Sequence, residues 1–421
     1  MIQHDFDVLI VGGGVTGLVC ASLLSSLLAN HRPNHRPRLR IGILEAQSPR
    51  PLAADADTDL RVVAIAPAGR RILEAAGAWQ VLPPGRRAAY ERMRVWQAGS
   101  TPFGSGSIGF DAADSGAPEL GHIVEHDWLR LGLWTSLAES AAPSVTLLTD
   151  SPPAGLRREA SAMVVELTGG ALLRTRLLVG ADGSDSWVRE QLQLPSTGHD
   201  YAQSALVTHV SSERPHGRTA WQCFTPSGPV ALLPLADGRS SVVWSCPAAD
   251  ARERAALADD EFAARLTVAT GNVLGNLGAT ARRHAVPLAA RHTHRYTGSR
   301  FALIGDAAHQ IHPLAGQGIN LGLLDAAALA ETLAAHLLAT RLADPGDALV
   351  LRRYERRRKG ENLLTLAAME GLHRVFTSDS SLLTRLAAAG LGVIDRLPLI
   401  KGLLADQATG LHRNRELHAR L

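Results

Sequence analysis

The hydrophobic pattern at the start of the chain predicts a strand, a helix and a second strand. Residues 5–11 (DFDVLIV) and 39–46 (LRIGILEA) are apolar runs with the composition of buried strands, and residues 15–29 between them have helical spacing. Two such strands joined through a helix form a βαβ unit with a parallel sheet. We therefore expect an α/β domain to begin here.

The pattern changes to short strands and turns in the middle of the chain, and then to helices. Residues 201–244 contain strand-like runs with turns at SGP and ADGR, which predicts an antiparallel sheet and a second domain. After residue 322 the chain is predicted to be helical to its end, with breaks at 344–347 (DPGD) and at Pro398. Two domains followed by helices suit a chain of 421 residues.

Composition and charge fit a folded globular protein and single out the C-terminal region. Apolar residues make up 46% of the chain and charged residues 20%. From residue 350 to the end there are 13 basic and 7 acidic residues, so this segment carries +6 against a net charge of +3 for the whole chain. Such a leucine-rich tail can lie on an acidic partner or a membrane surface, and a solvated helical face explains the same pattern equally well.

The cysteines and one long uncharged run bear on whether the chain has disulfides, a metal site or a membrane segment. Cys20, Cys223 and Cys246 form no CxxC pair, which favours buried, reduced thiols over a disulfide or zinc framework. Residues 8–29 carry no charge and are long enough to span a bilayer, but three consecutive glycines interrupt them. A strand, a turn and a helix explain this run better than a signal peptide or an anchor.

The turn between the first strand and the first helix contains Gly12, Gly14 and Gly17 in the spacing GxGxxG. In dinucleotide-binding folds the first glycine makes a tight turn, the second lets the backbone approach a pyrophosphate, and the third allows helix and strand to pack closely. Glu45, at the end of the second strand, is placed to accept hydrogen bonds from ribose hydroxyls. It lies farther from the glycines than the roughly 20 residues that are usual, because a polar loop occupies residues 30–38.

A second strand ends in a pair typical of turns. Residues 177–190 (LLVGADGSDSWVRE) run from an apolar strand into Asp182 and Gly183, followed by Ser186 and Arg189. Taken alone, this pattern is most typical of a strand, a turn and a polar helix start.

Residues 305–322 (GDAAHQIHPLAGQGINLG) place flexible, polar backbone directly before a helix. Asp306 follows an apolar strand, so its carboxylate is expected at the carboxyl edge of the sheet, where ligands bind in such folds. Gly316 and Gly318 let backbone amides face a ligand closely, and the helix predicted from near Ile319 aims its positive end at the same place. A second helix start of this kind fits a reduced flavin ring, which carries negative charge.

These three motifs, in this order and at these separations, resemble those of the class A FAD-dependent aromatic hydroxylases, the group that includes para-hydroxybenzoate hydroxylase. Within that group the chain is most similar to the ubiquinone-biosynthesis hydroxylases. The similarity extends through residues 59–79, 122–134 and 220–235, and so covers nearly the whole chain. The third motif is highly specific, whereas the first is shared by many nucleotide-binding proteins.

The resemblance implies a role in cofactor binding for residues in all three motifs. The ADP half of FAD would be held by Gly12, Gly14, Gly17 and Glu45, and the flavin would lie close to Arg61. A motif associated with both FAD and the nicotinamide donor is matched by Asp182 and Gly183. The ribityl chain would bond to Asp306, and the flavin ring would be lined by Pro313, Gly316, Gln317, Gly318 and Asn320. The long arginine- and proline-rich loop at 30–38 departs from the family pattern.

The resemblance also implies an architecture. It is an α/β fold with a Rossmann-like FAD-binding domain of the GR2 type, an inserted antiparallel β-sheet domain that covers the substrate, and a C-terminal helical region. The corresponding boundaries are 1–188 and 286–345 for the two parts of the FAD-binding domain, 189–285 for the substrate domain, and 346–421 for the helical region.

The implied activity is hydroxylation of the aromatic ring of a polyprenylphenol or quinol intermediate in ubiquinone biosynthesis. NADPH or NADH would reduce FAD, O2 would add at C4a, and the flavin hydroperoxide would deliver oxygen to the ring without a dedicated nucleophile. The expected partners are the lipid-tailed substrate, O2, a membrane surface and other ubiquinone-biosynthesis proteins, with no nucleic acid and no metal. The expected location is the cytoplasm, peripheral at the inner membrane.

Several alternatives stay open. Trp221, Gln222 and Phe224 face either the substrate or plain sheet core, while His309 and His312 are more typical of packing or capping than of catalysis. A flavin reductase without oxygenation, an FAD-binding scaffold and a hydroxylase of another phenol share the same motifs. A flavin-dependent halogenase does not fit, since no two tryptophans are two residues apart and the first lysine of the chain comes late, at residue 359.

Overall fold

The computed structural model of the protein describes residues 3–30, 39–53, 55–104, 106–139, 144–311, 317–339 and 343–376. Its strands are β1 (Gln3–Val11), β2 (Ile41–Glu45), β3 (Val62–Ile65), β4 (Arg87–Tyr90), β5 (Arg92–Gln97), β6 (Ser107–Asp111), β7 (Gly121–Glu125), β8 (Val145–Thr149), β9 (Pro153–Arg158), β10 (Met163–Leu167), β11 (Leu172–Gly180), β12 (Ser196–Ser212), β13 (Thr219–Thr225), β14 (Gly228–Pro234), β15 (Ser240–Pro247), β16 (Leu277–Ala279), β17 (His284–Thr293), β18 (Thr297–Gly298), β19 (Phe301–Leu303) and β20 (His309–Gln310). Its α-helices are α1 (Val15–Asn30), α2 (Pro67–Ala75), α3 (Ala78–Val81), α4 (His126–Glu139), α5 (Trp187–Gln191), α6 (Ala248–Ala256), α7 (Asp259–Ala269), α8 (Gln317–Ala339) and α9 (Ala348–Phe376).

The first sheet has the parallel core that the start of the chain predicts. Its strands run in the order β18-β19-β11-β1-β2-β8, and the pairs joining β19, β11, β1, β2 and β8 are parallel. Val8, Leu9 and Ile10 of β1 have no exposed surface, as expected for a central strand covered on both faces. The predicted βαβ unit is therefore confirmed as β1, α1 and β2.

The second sheet is largely antiparallel, as predicted for residues 201–244, but it draws on more of the chain. Its order is β20-β17-β12-β15-β14-β13-β5-β6, with β16 beside β12. Strands β5 and β6 precede the predicted boundary at residue 188, and β20 follows the one at 285, so the sheet is not confined to 189–285. The local pattern missed β5 because it pairs in parallel with β13, a partner far along the chain. The boundaries themselves stay a prediction.

The helices at the end of the described chain complete the core. The predicted break at 344–347 is confirmed, since it separates α8 from α9, and α8 begins at Gln317, slightly before the predicted start near Ile319. The segment Gly318–Ala339 is long and apolar enough to cross a membrane by length and composition, but 72% of its most apolar window is buried inside the protein. That burial is typical of a core helix, and α8 packs against α1 within the main apolar cluster.

Candidate cofactor and active site

The candidate site lies at the edge of the first sheet where neighbouring strands end. β2, β1, β11 and β19 are adjacent and parallel, so their carboxyl ends share one edge. At or just beyond these ends lie Glu45, the glycine turn at 12–17, Asp182 and Asp306. The fold therefore brings residues from both halves of the chain to the place where ligands bind in open parallel sheets.

The three glycines of the first turn have different surroundings. Gly12 has a φ of +111°, and a Cβ there would stand 2.3 Å from the Ala181 carbonyl oxygen. A Cβ on Gly17 would stand 2.1 Å from the Gly12 carbonyl oxygen, so only glycine lets α1 approach β1 this closely. A Cβ on Gly14 would meet no atom of the described residues within 4 Å. Packing thus requires Gly12 and Gly17, while Gly14 borders open space at a helix start, where phosphates bind.

Glu45 is bonded to the glycine turn. Its Oε2 accepts a hydrogen bond from the Gly13 N–H at 2.7 Å. Arg130, in α4, donates from Nε to the Gly13 carbonyl at 2.9 Å and places Nη2 3.4 Å from Glu45 Oε2. This ion pair fixes the turn against the end of β2. Sequence reasoning missed Arg130, because a single arginine in a helix gives no signal of its distant partner, and the ribose contact of Glu45 stays a prediction.

Asp182 is hydrogen-bonded to the start of a short helix, α5, whose N-cap residue is Ser186. Its carboxylate accepts hydrogen bonds from Ser186 Oγ at 2.6 Å and from the Val188 N–H at 3.0 Å, at the start of α5. Burial raises the pKa of Asp182, although these two hydrogen bonds oppose the rise. Gly183, with a φ of +83°, makes the turn. The local geometry is the strand, turn and helix start of the simpler interpretation, and a contact of Asp182 and Gly183 with the cofactor stays a prediction.

Arg189 joins two of the motifs. Its guanidinium donates from Nη2 to the Ser184 carbonyl at 2.5 Å and from Nη1 to the Ala307 carbonyl at 3.1 Å. The residue is only 8% exposed. It therefore holds the turn after β11 against the segment that carries Asp306.

Asp306 is exposed at the carboxyl edge of the sheet. Its side chain reaches solvent, yet burial by the surrounding protein raises its pKa, and neighbouring cationic groups, Arg61 among them, oppose the rise. A carboxylate in this position can accept hydrogen bonds from hydroxyls of a bound ligand. Arg61 is among the groups whose charge lowers the pKa of Asp306, and its contact with the flavin stays a prediction.

Two helices begin beside the same segment. Thr16, in the first turn of α1, lies between the turn at Gly305 and Gly322 of α8. A Cβ on Gly305 would stand 3.2 Å from Thr16 Oγ1, and a Cβ on Gly322 would stand 2.7 Å from the same atom. The positive ends of α1 and α8 therefore lie at the same edge of the sheet.

The residues predicted to line the flavin ring are described only in part. Gly318 lies in the first turn of α8. Asn320 is 6% exposed, and its amide ties α8 to the start of α2, because Oδ1 accepts from the Ala66 N–H at 2.9 Å and Nδ2 donates to the Ala64 carbonyl at 2.8 Å. Outside the described residues lie Pro313, Gly316 and the side chain of Gln317.

His309 occupies a packing position. It is 1% exposed, and its Nε2 lies 2.5 Å from Oδ2 of Asp325, which is itself fully buried. The carboxylate must accept this hydrogen bond, so Nε2 carries the proton. This supports packing rather than catalysis for His309, and His312 lies outside the described residues.

The two faces of the second sheet have different neighbours. Trp221 packs against the cluster that contains Phe262 of α7. Phe224 belongs to a separate apolar cluster with Val95, and Gln222 lies on the same face as Phe224 because side chains alternate along a strand. Trp221 therefore faces the helices, whereas Gln222 and Phe224 remain candidates for the substrate side.

These features fit FAD. The open space beside Gly14 at a helix start suits a pyrophosphate, and the accessible carboxylate of Asp306 suits a hydroxyl-bearing chain. The second helix start, at α8, suits a group with negative charge.

Known proteins are similar to this chain in sequence and in fold. Residues 156–361 match the family described as FAD binding domain. The chain is 36% identical over 405 residues to ubiquinone hydroxylase UbiL of Rhodospirillum rubrum, covering 96% of this chain and 89% of that protein. It is 33% identical over 415 residues to 3-demethoxyubiquinol 3-hydroxylase of Escherichia coli, covering 98% and 100%. The crystal structure of p-nitrophenol 4-monooxygenase PnpA from Pseudomonas putida has the same fold, with a TM-score of 0.75 at 18% identity, covering 97% and 99%.

The fold and the site define an FAD-dependent aromatic monooxygenase. Within that class the chain belongs to the family of the ubiquinone-biosynthesis hydroxylases, because the similarity to its members extends over nearly the full length of both chains. The family, the FAD cofactor and the α/β FAD-binding architecture expected from the sequence are thereby confirmed.

Proposed function

We propose that the protein hydroxylates the aromatic ring of a polyprenylated phenol or quinol intermediate of ubiquinone biosynthesis, with NADPH or NADH and O2 as co-substrates. The observation that carries the proposal is the full-length similarity to two ubiquinone hydroxylases, because it spans the cofactor edge and the second sheet alike. A demethoxylated quinol, the compound in the name of one relative, is the first substrate to test.

The second sheet supports an apolar substrate. β20, just after Asp306, pairs with β17, so this sheet adjoins the cofactor edge. On the face away from α6 and α7 the sheet carries an apolar cluster of Val95, Ile108 and Phe224, with Met93, Phe110 and Met369 packed against it. An aromatic ring with a lipid tail can bury its apolar surface on such a face.

The chain's own residues would bind the cofactor, orient it and exclude water from the reacting ring. When bound, FAD supplies the transfer of reducing equivalents and of one oxygen atom to the ring. The start of α1 and the open side of Gly14 would hold the phosphates, and Asp306 would orient the hydroxyl chain. The positive end of α8 would stabilise negative charge on the ring by about 1 kcal/mol. The apolar sheet face would keep water from the reacting ring.

Purified holoprotein tests the reaction directly. With NADPH or NADH and a short-tailed demethoxyubiquinol, we expect O2 uptake that depends on the quinol and matches the hydroxylated product. A flavin reductase would oxidise the nicotinamide without hydroxylated product, and a scaffold would show no rapid bleaching of the flavin. In cells, mass spectrometry of the quinone intermediate that accumulates in a deletion strain would identify the missing hydroxylation.

A pair of glycine variants tests the location of the cofactor. We expect Gly14→Ala to raise the FAD dissociation constant about tenfold or more while the apoprotein unfolds at its normal temperature, because the new methyl group fills only the space left for the ligand. Gly85→Ala is the matched control, since a Cβ at Gly85 also meets no described atom within 4 Å but lies on a different turn. Equal FAD affinity in both variants would place the pyrophosphate elsewhere.

We also propose that the protein acts in the cytoplasm at the surface of the inner membrane, where a lipid-tailed substrate resides. The support is the basic, leucine-rich sequence from residue 350 to the end, of which residues 377–421 lie outside the described residues. Deleting the residues beyond about 380 should weaken binding to membranes or partner enzymes while FAD stays bound. Full association of the shortened, active enzyme would rule this proposal out.

A further inference from the structure

A buried carboxylate connects the Asp306 segment to the C-terminal helix. Asp325, in α8, has no exposed surface. Its Oδ2 accepts a hydrogen bond from the Gly305 N–H at 3.1 Å and one from His309 Nε2 at 2.5 Å. Both donors flank Asp306 in the chain, so Asp325 holds this segment on either side of the candidate FAD ligand.

The other carboxylate oxygen binds α9. Asp325 Oδ1 accepts from Arg358 Nε at 2.8 Å and from Asn362 Nδ2 at 3.1 Å. The Arg358 side chain is 4% exposed, and its Nη2 donates to Asn362 Oδ1 at 2.9 Å while Nη1 pairs with Glu361. One carboxylate thus receives two donors from the Asp306 segment and two from α9.

The charges of this network depend on each other. Burial alone would raise the pKa of Asp325, but His309 and Arg358 outweigh that effect and lower the pKa to about 2, so the carboxylate is ionised. A buried ion pair that loses one partner leaves an uncompensated charge, which is strongly destabilising. Loss of Arg358 is therefore expected to weaken the hold on the Asp325 carboxylate, because only His309 would then offset the cost of burying its charge.

The turn at Gly305 connects the Asp325 network to the candidate cofactor site. Gly305 has a φ of +60° and directly precedes Asp306. Its N–H is held by Asp325, so the direction in which Asp306 leaves the turn depends on that hydrogen bond. Loss of the bond would free the backbone next to the candidate FAD ligand.

We propose that Asp325 and Arg358 are positioning residues through which helix α9 fixes Asp306 for FAD binding. Helix α9 then contributes to retention of the cofactor indirectly, because Arg358 acts on the Asp306 segment through the Asp325 carboxylate. This inference rests on the FAD site described above.

Two neighbouring arginines of α9 allow a matched test. Arg358→Met should raise the FAD dissociation constant of the full-length protein about tenfold or more. Arg357→Met should change it by less than about twofold, because the ion pair that it breaks, from Arg357 Nη1 to Glu331 at 2.7 Å, joins α9 to α8 through Glu331 rather than through Asp325. The double variant Asp325→Asn/Arg358→Met should bind FAD more tightly than Arg358→Met alone, since no buried charge is then left unpaired.

The unfolding temperature of each apoprotein separates positioning from general packing. If Arg357→Met and Arg358→Met weaken FAD binding equally, or in proportion to their unfolding temperatures, the inference is wrong. If Arg358→Met does not fold, Asp325→Asn decides, because a wild-type FAD dissociation constant in that variant would overturn the inference. A wild-type protein that binds no FAD would refute the cofactor site as well, whereas tight binding in both wild type and Arg358→Met would refute the positioning role alone.

Discussion

Replacing Asn320 by leucine should destabilise the protein through two backbone groups that lose their partners. The side chains are similar in size, but leucine can neither accept from the Ala66 N–H nor donate to the Ala64 carbonyl, which the amide now binds at 2.9 and 2.8 Å. A buried backbone group without a partner costs about 1–3 kcal/mol, and the contact at Ala64 is only partly buried. We therefore expect the free energy of unfolding to fall by about 2–4 kcal/mol.

Urea unfolding of the apoprotein followed by tryptophan fluorescence measures this change. Asn276→Leu is a suitable control, because Asn276 is exposed and a surface substitution should stay within about 0.5 kcal/mol of the wild type. Gly69→Ala probes the same contact from α2, since a Cβ there would stand 2.7 Å from Asn320 Oδ1. A loss below about 1 kcal/mol in Asn320→Leu would refute the bridging role of this amide.

Three further outcomes follow from buried groups. Burial, with the charges of Arg70 and Arg87, lowers the pKa of His122 from 6.5 to about 4. Between these two pH values the unfolded chain binds more protons than the folded one, so the free energy of unfolding should fall as the pH drops from 6.5 to 4. His122→Gln should flatten this pH dependence in urea titrations, and an unchanged slope would contradict the assignment. Burial raises the pKa of Cys20 to about 12, and Cys223 and Cys246 are buried too. A thiol reagent should therefore react with the protein only after unfolding, and rapid labelling of the native protein would disprove this. Gly17→Ala should prevent soluble expression or lower the unfolding temperature sharply, because its Cβ would overlap a backbone oxygen, and a normal unfolding temperature would count against the packing of α1 on β1.

The parts of the site that the sequence predicted are those encoded by contiguous residues. The glycine turn, the strand before it and the helix after it lie within residues 3–30, so spacing alone was enough to predict them. The same holds for Asp306, whose position after an apolar strand placed it at the carboxyl edge of the sheet. These local signals predicted the fold class and the candidate cofactor edge without any knowledge of long-range partners.

The parts that were missed depend on contacts between distant residues. Arg130 binds the glycine turn from α4, and Arg358 reaches Asp325 from α9, yet each is one of many arginines in this chain. β5 was not assigned to the second sheet, because its partner β13 lies more than a hundred residues away. Trp221 and Phe224 were grouped together, and only the register of β13 shows that they face opposite sides.

The position of β19 in the first sheet bears on how the chain acquires its cofactor during synthesis. β19 pairs with β11, but the strands β12 to β18 lie between them in the chain. When residue 300 leaves the ribosome, most of the second sheet has therefore emerged but Asp306 has not. If Asp306 binds FAD as expected, stable capture of the cofactor must follow the emergence of most of the second sheet.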